Sequence, residues 1–260
     1  MGKPMKTVMQ SLSRNNVGRK PCRGLDTHSG RQSARHAFTL IELLVVIAII
    51  SILMGMVMTA ISRAKNKASQ VVDINNLKQM VTTLHMFSTD NEDNLPWPNW
   101  KDGDRPDRQG WLYTLDDTAT GPARFKVQTG SFWETLRNPK LYYCPMDKPE
   151  SHTDREQQIS SYVMNGAVIG FDRMRFPSVR SSLMKPEDVA FWETDERHAD
   201  FFNDGASYPE EGVSRRHNQG AIRVTFSGTV GFVRFDTWYE QVEETHRNNL
   251  WCYPGSEDGR

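Results

Sequence analysis

The chain has 260 residues, 32 of them basic and 32 acidic, so its formal charge at neutral pH is zero. That total conceals a division. Residues 1–37 hold eight basic residues (Lys3, Lys6, Arg14, Arg19, Lys20, Arg23, Arg31, Arg35) and one acid, Asp26, for +7; the 24 basic and 31 acidic residues that follow leave −7. The basic stretch lacks interleaved aromatic residues, which argues against a nucleic-acid partner. It is rich in Gly, Ser, Asn and Arg with little apolar surface to bury, so no fixed structure is expected there.

From Leu43 to Ile61 there are 19 residues without a charge or a proline. A helix of that length covers about the 30 Å of a bilayer's hydrocarbon core. One carboxylate, Glu42, stands at the mouth of this run. An acid in a membrane segment costs roughly 2–3 kcal/mol on insertion scales, so a partner is expected for it. A secretory signal would have a shorter apolar region, about 7–15 residues, followed by a small-residue cleavage site. Positive charge is retained in the cytoplasm, so the basic N-terminal side is expected inside and the remainder across. The local bias is weak, with five basic residues in the 20 before Phe38 and four in the 20 after Ile61, so charge alone does not decide the orientation.

Helical periodicity continues beyond the span. Ile74, Leu77, Val81 and Leu84 recur at three- and four-residue steps, with Asp73, Lys78 and Thr82 assigned to other faces. The helix is expected to end near Ser88, ahead of Asn91, Asp93, Asn94, Pro96 and Pro98. Residues 38–61 form the membrane helix in this reading, and 62–94 its amphipathic continuation and exit.

Phe38-Thr39-Leu40-Ile41-Glu42-Leu43, preceded by the basic segment and followed by the apolar run, resembles the processing site of type IV prepilins and type II secretion pseudopilins. The resemblance implies a leader over 1–37 and a cut between Ala37 and Phe38 by a prepilin peptidase, which also methylates the new amine of Phe38. Glu42 becomes the fifth mature residue and an assembly determinant. Gly usually precedes the cut in that family; here the next smallest residue, Ala37, stands there. The implied partners are the peptidase/methyltransferase, other pseudopilin subunits, an inner-membrane assembly platform and membrane lipid.

Residues 95–260 are long enough for one domain with its own core. Their early part is charged and loop-rich around Lys101–Arg108, with a short helix expected over Ser131–Leu136 and short strands over Ser160–Ile169 and Val189–Glu193. Ala221–Phe226 alternates, Ser227-Gly228 reads as a two-residue turn, and Thr229–Phe235 returns, an antiparallel hairpin with one buried face. The expected fold is α+β: a long N-terminal membrane or filament helix packed on a small antiparallel-sheet domain, pilin-like in form.

His217, followed nine residues later by Ser227-Gly228, is similar to the H-X9-DG domain that accompanies prepilin-type N-termini. Asn75–Gln79, Tyr143-Cys144-Pro145 and Ser161–Gly166 match its other blocks in order. Ser227 stands where that family has Asp. Any role needing a carboxylate there, such as fixing His217 or a cation, is lost, while a turn role survives.

Cys22 falls in the leader, leaving Cys144 and Cys252. In an exported domain a single disulfide between them is the simplest arrangement, with two unpaired buried thiols as the alternative. His152/Asp154 and His198/Asp200 each place an imidazole two residues from a carboxylate, and Glu193, Asp195 and Glu196 lie nearby. None has recognised zinc spacing, and no nucleophile elbow, phosphate loop or dinucleotide fingerprint occurs. These acids and imidazoles are read as solvated surface, so no enzyme, cofactor or metal is expected. Trp97 and Trp100, beside prolines, are candidates for exposure and for contact with a sugar or protein ligand, against the commoner place of tryptophan in a core or subunit interface. The expected function is a pilin-like or pseudopilin structural subunit of the inner membrane, single-pass, with its C-terminal domain outside the cytoplasm. The alternative is a membrane-anchored binding domain that does not polymerise.

Overall fold

The computed structural model describes residues 38–147, 155–194 and 204–260. The apolar run forms part of one helix, α1 (Leu40–Asp90). Its C-terminal end is closed by the Asp93 N–H donating to the Ser88 carbonyl at 2.8 Å. Glu92 and Asp93 take left-handed φ values of 56° and 68°, a turn that meets a carbonyl the helix would leave unsatisfied.

The chain divides into two compact units, Met1–Ile52 and Leu53–Arg260. In the first, the side chains from Leu40 to Ile52 are exposed. The helix is long and apolar enough to cross a membrane. In the second, α1 remains exposed to Ala68 and then turns a face inward, burying Asp73, Asn76, Leu77, Met80, Val81, Thr83, Leu84 and Ser88.

The helix packs on a sheet of β1 (Tyr162–Asn165), β2 (Val189–Glu193), β3 (Ala206–Ser207), β4 (Gly220–Thr225) and β5 (Val230–Arg234), in the order β3-β1-β2-β4-β5. The fold is α+β and consistent with a pilin-like arrangement. The sheet is mixed: β1–β2, β2–β4 and β4–β5 are antiparallel, whereas β3 lies parallel to β1. β1 is shorter than the expected strand because Asn165 caps a 3-10 turn at Gly166–Ile169, its side-chain oxygen accepting from Ala167 N at 2.9 Å.

Aromatic rings fill the core. Trp111 meets Phe132 and Phe191 edge-on, with centroids 5.6 and 5.1 Å away. Beyond the expected short helix, seen as α2 (Trp133–Leu136), a third, α3 (Phe235–Val242), follows β5 directly. The strand therefore ends before Phe235. Trp238 and Val242, one helical turn apart, are buried, and the Trp238 ring lies 5.1 Å from that of Trp192.

Candidate functional site

At the head of α1, Thr39 and Glu42 form a reciprocal cap. The backbone N–H and hydroxyl of Thr39 each donate to Glu42 Oε2 at 2.8 Å, and Glu42 N donates to Thr39 Oγ1 at 3.2 Å. This capping box satisfies free amides of the first turn. Threonine followed three residues later by glutamate was its visible signal. Phe38, just ahead, is exposed.

A second constellation is buried in the C-terminal unit. His217 sits in a tight turn before β4, its N–H donating to the Gly220 carbonyl at 3.0 Å, with Asn218 and Gln219 at positive φ of 55° and 66°. Its Nε2 lies 2.6 Å from Asp73 Oδ2 on α1 and 3.2 Å from Glu193 Oε1 at the end of β2. The Cys144 sulfur lies 3.6 Å from that nitrogen and 3.2 Å from Asp73 Oδ2.

The outward atoms of these side chains are held. Tyr162 OH donates to Asp73 Oδ1 at 2.6 Å, Ile222 N to Glu193 Oε2 at 2.7 Å and Met146 N to Cys144 Sγ at 3.3 Å. Asn76 Nδ2 donates to Tyr162 OH at 3.3 Å, so α1 contributes twice. Burial raises the Asp73 carboxyl and the Cys144 thiol. Burial also opposes the charge on Glu193, but His217, Arg216 and the Ile222 amide outweigh it and hold that carboxyl below its usual range. For His217, burial is outweighed by Asp73 and Glu193, which lift the imidazole to about 9.

Residues 32–58 match a family model described as the prokaryotic N-terminal methylation motif. No curated protein and no solved structure matches the chain. The motif fits a pilin- or pseudopilin-type subunit and points to a structural protein rather than an enzyme. With one apolar helix near the N-terminus it fits a single-pass membrane anchor. Processing by a prepilin peptidase and assembly with other pilin subunits are what the motif implies in general terms.

Several expected site residues fall elsewhere than sequence placed them. Ala37, His152, Asp154, Asp195, Glu196, His198 and Asp200 lie outside the described residues. Cys144 and Cys252 do not form the expected disulfide: both are free and buried. Cys144 faces Asp73 and His217, whereas Cys252 accepts from Asn165 Nδ2 at 3.4 Å. His217 and Ser227 do not meet, because the interval between them is a turn, the six residues of β4 and a second turn. At about 3.3 Å per residue the strand alone spans roughly 20 Å. Ser227 is exposed, its hydroxyl 2.8 Å from that of Thr225 and 3.0 Å from that of Thr229. Carboxylates do hold His217, but they come from Asp73 and Glu193, one read as lying off the helix's buried face and the other as solvated surface. Trp97 and Trp100 are both buried, which removes them as an exposed ligand platform.

Proposed function

We propose that this chain is a pilin-type structural subunit, inserted by α1 with its basic segment in the cytoplasm and its C-terminal domain outside. A prepilin peptidase cuts between Ala37 and Phe38 and methylates the Phe38 amine. The mature subunit then leaves the lipid for a filament of the type II secretion or type IV pilus kind. The match of residues 32–58 to the methylation motif carries this reading. The exposed apolar side chains from Phe38 to Ile61 support it, since lipid and neighbouring helices can each cover them.

Glu42 has two roles in this scheme. In the single chain it accepts from Thr39. In the filament it pairs with the Phe38 amine of a neighbour, because a charge-assisted hydrogen bond is roughly twice as strong as a neutral one and is screened little away from water. Glu42→Gln separates the roles: glutamine can still close a capping box but carries no charge.

The test is mass analysis of the N-terminus of protein extracted from membranes, with filament assembly scored for the wild type and Glu42→Gln. The expected product starts at N-methylated Phe38, and the variant is cleaved normally but assembles poorly. Protein that keeps residues 1–37 in cells containing the peptidase overturns the reading, and normal filaments from Glu42→Gln overturn the charge pairing.

A further inference from the structure

Asp73, Cys144, Glu193 and His217 each offer one ligand atom, all four within 4.8 Å of one another and all buried. They come from a helix, a turn, a strand end and a loop, 71, 49 and 24 residues apart in sequence, so the four form no local metal-binding spacing. The chemistry at their centre is unusual for a hydrogen-bonded core. Asp73 Oδ2, Glu193 Oε1 and Cys144 Sγ all converge on His217 Nε2, at 2.6, 3.2 and 3.6 Å. One nitrogen carries at most one proton and cannot donate well to three acceptors. The other ring nitrogen, His217 Nδ1, is buried without a hydrogen-bond partner among the described residues.

The outer halves of three of the ligands are already committed. Tyr162 OH, the Ile222 amide and the Met146 amide hold Asp73 Oδ1, Glu193 Oε2 and Cys144 Sγ, leaving the inner carboxylate oxygens and a sulfur lone pair facing the same point as the imidazole nitrogen. Supporting hydrogen bonds of this kind orient the ligands of protein metal centres. One thiolate, one imidazole and two carboxylates are a ligand set for zinc, whose bonds to sulfur, nitrogen and oxygen run about 2.0–2.3 Å. Tetrahedral ligands at those lengths stand roughly 3.3–3.8 Å apart. The Cys144–His217 separation of 3.6 Å already falls in that range, and Asp73 Oδ2 needs to move outward by less than about 1 Å.

We propose that these four side chains bind one divalent zinc-class cation in a closed, four-coordinate structural site. Binding replaces two protons, one from the Cys144 thiol and one from the His217 imidazolium, with a single dication; both protons pass to solvent and no electron is transferred. Because Asp73 lies on α1 while Cys144, Glu193 and His217 lie in the sheet-bearing part of the same unit, the ion ties the buried end of the helix to the domain. All four positions are filled by protein, so the role is structural and not catalytic.

The full chain, purified in detergent under reducing conditions from zinc-supplemented cells, should contain one zinc per chain. Chelated protein given cobalt should develop a thiolate-to-cobalt charge-transfer band in the near ultraviolet, absent from Cys144→Ser. Tyr162→Phe, which removes the hydroxyl that donates to Asp73 and accepts from Asn76, should fold and weaken zinc binding about 10- to 100-fold. Should Cys144→Ser fail to fold, the wild-type metal content and Tyr162→Phe still decide. Wild-type protein without stoichiometric metal, showing no cobalt–thiolate band and no rise in Tm on adding zinc, overturns the proposal. So does a Cys144–Cys252 disulfide in protein isolated without reductant from its own compartment. Neither result bears on cleavage at Phe38, so this site and the filament role fail separately.

Discussion

Asp104 accepts from the Trp97 indole at 2.7 Å, from the Asn99 amide at 3.3 Å and from the Tyr113 hydroxyl. Burial nevertheless outweighs these donors and the nearby Arg108, lifting its carboxyl to about 6. A carboxyl raised in the folded state takes up a proton more readily there than in the unfolded chain. Its contribution to stability is therefore complete below the unfolded value near 4 and is lost as pH rises through about 6. Because the side chain is only half-buried, the loss is set at roughly 1–2 kcal/mol, after discounting for solvent screening. Asp104→Asn keeps an acceptor for the indole but cannot ionise. Tm measured between pH 4 and 7 in detergent should fall less steeply with pH for this variant than for the wild type; parallel curves would show that Asp104 does not set the slope.

At the scale of elements, the β4–β5 hairpin shows how a turn can differ from its sequence reading without changing the strands it joins. Thr225 N donates to Thr229 O at 3.0 Å and Gly228 N to Thr225 O at 2.9 Å. The loop is thus Phe226-Ser227-Gly228, a three-residue connection with Gly228 in the left-handed position at φ 82°. Phe226 belongs to the turn because its N–H is drawn to the Asp188 carbonyl at 2.8 Å and its ring is buried. A Cβ on Gly228 would meet only Val81, at 3.8 Å, so Gly228→Ala should cost only the left-handed backbone, about 1–2 kcal/mol. A Cβ on Gly220 would stand 2.2 Å from the Val233 carbonyl, so Gly220→Ala must push the two strands apart and should lower Tm more. Thermal unfolding of the two variants gives the order; a smaller loss at Gly220 would contradict the observed strand spacing. Elements marked by a continuous apolar run or by a period were legible: the apolar span and β2 by the first, the face of α1 with Leu77, Val81 and Leu84 and the hairpin strands by the second. What escaped were residues whose partners are distant in sequence. Asp73 and Glu193 look like surface acids until Tyr162, Ile222 and His217 are brought to them, and α3 was hidden because its first residue continued the alternation of β5.

For the whole chain, α1 belongs to two different solvents. Its residues from Leu40 to Lys67 are exposed, whereas Leu77, Met80, Val81 and Leu84 are core. Burying those four side chains contributes roughly 1.5–3 kcal/mol each, about 6–12 kcal/mol together. That is comparable with the entire net stability of a typical domain, about 5–15 kcal/mol. Even after reduction for a compact unfolded state, the second part of α1 cannot be spared. Among the described residues, a chain starting at Arg63 discards only exposed ones, and it should be water-soluble and fold cooperatively. A chain starting at Asn91 loses the four apolar side chains and Asp73 besides, leaving the Tyr162 hydroxyl and His217 Nε2 without their Asp73 contacts. It should be largely unfolded, with weak near-ultraviolet circular dichroism despite retaining all seven tryptophans. A cooperative transition from the Asn91 chain would show that the domain does not need the helix, and an aggregated, non-cooperative Arg63 chain would show that it needs the apolar span as well.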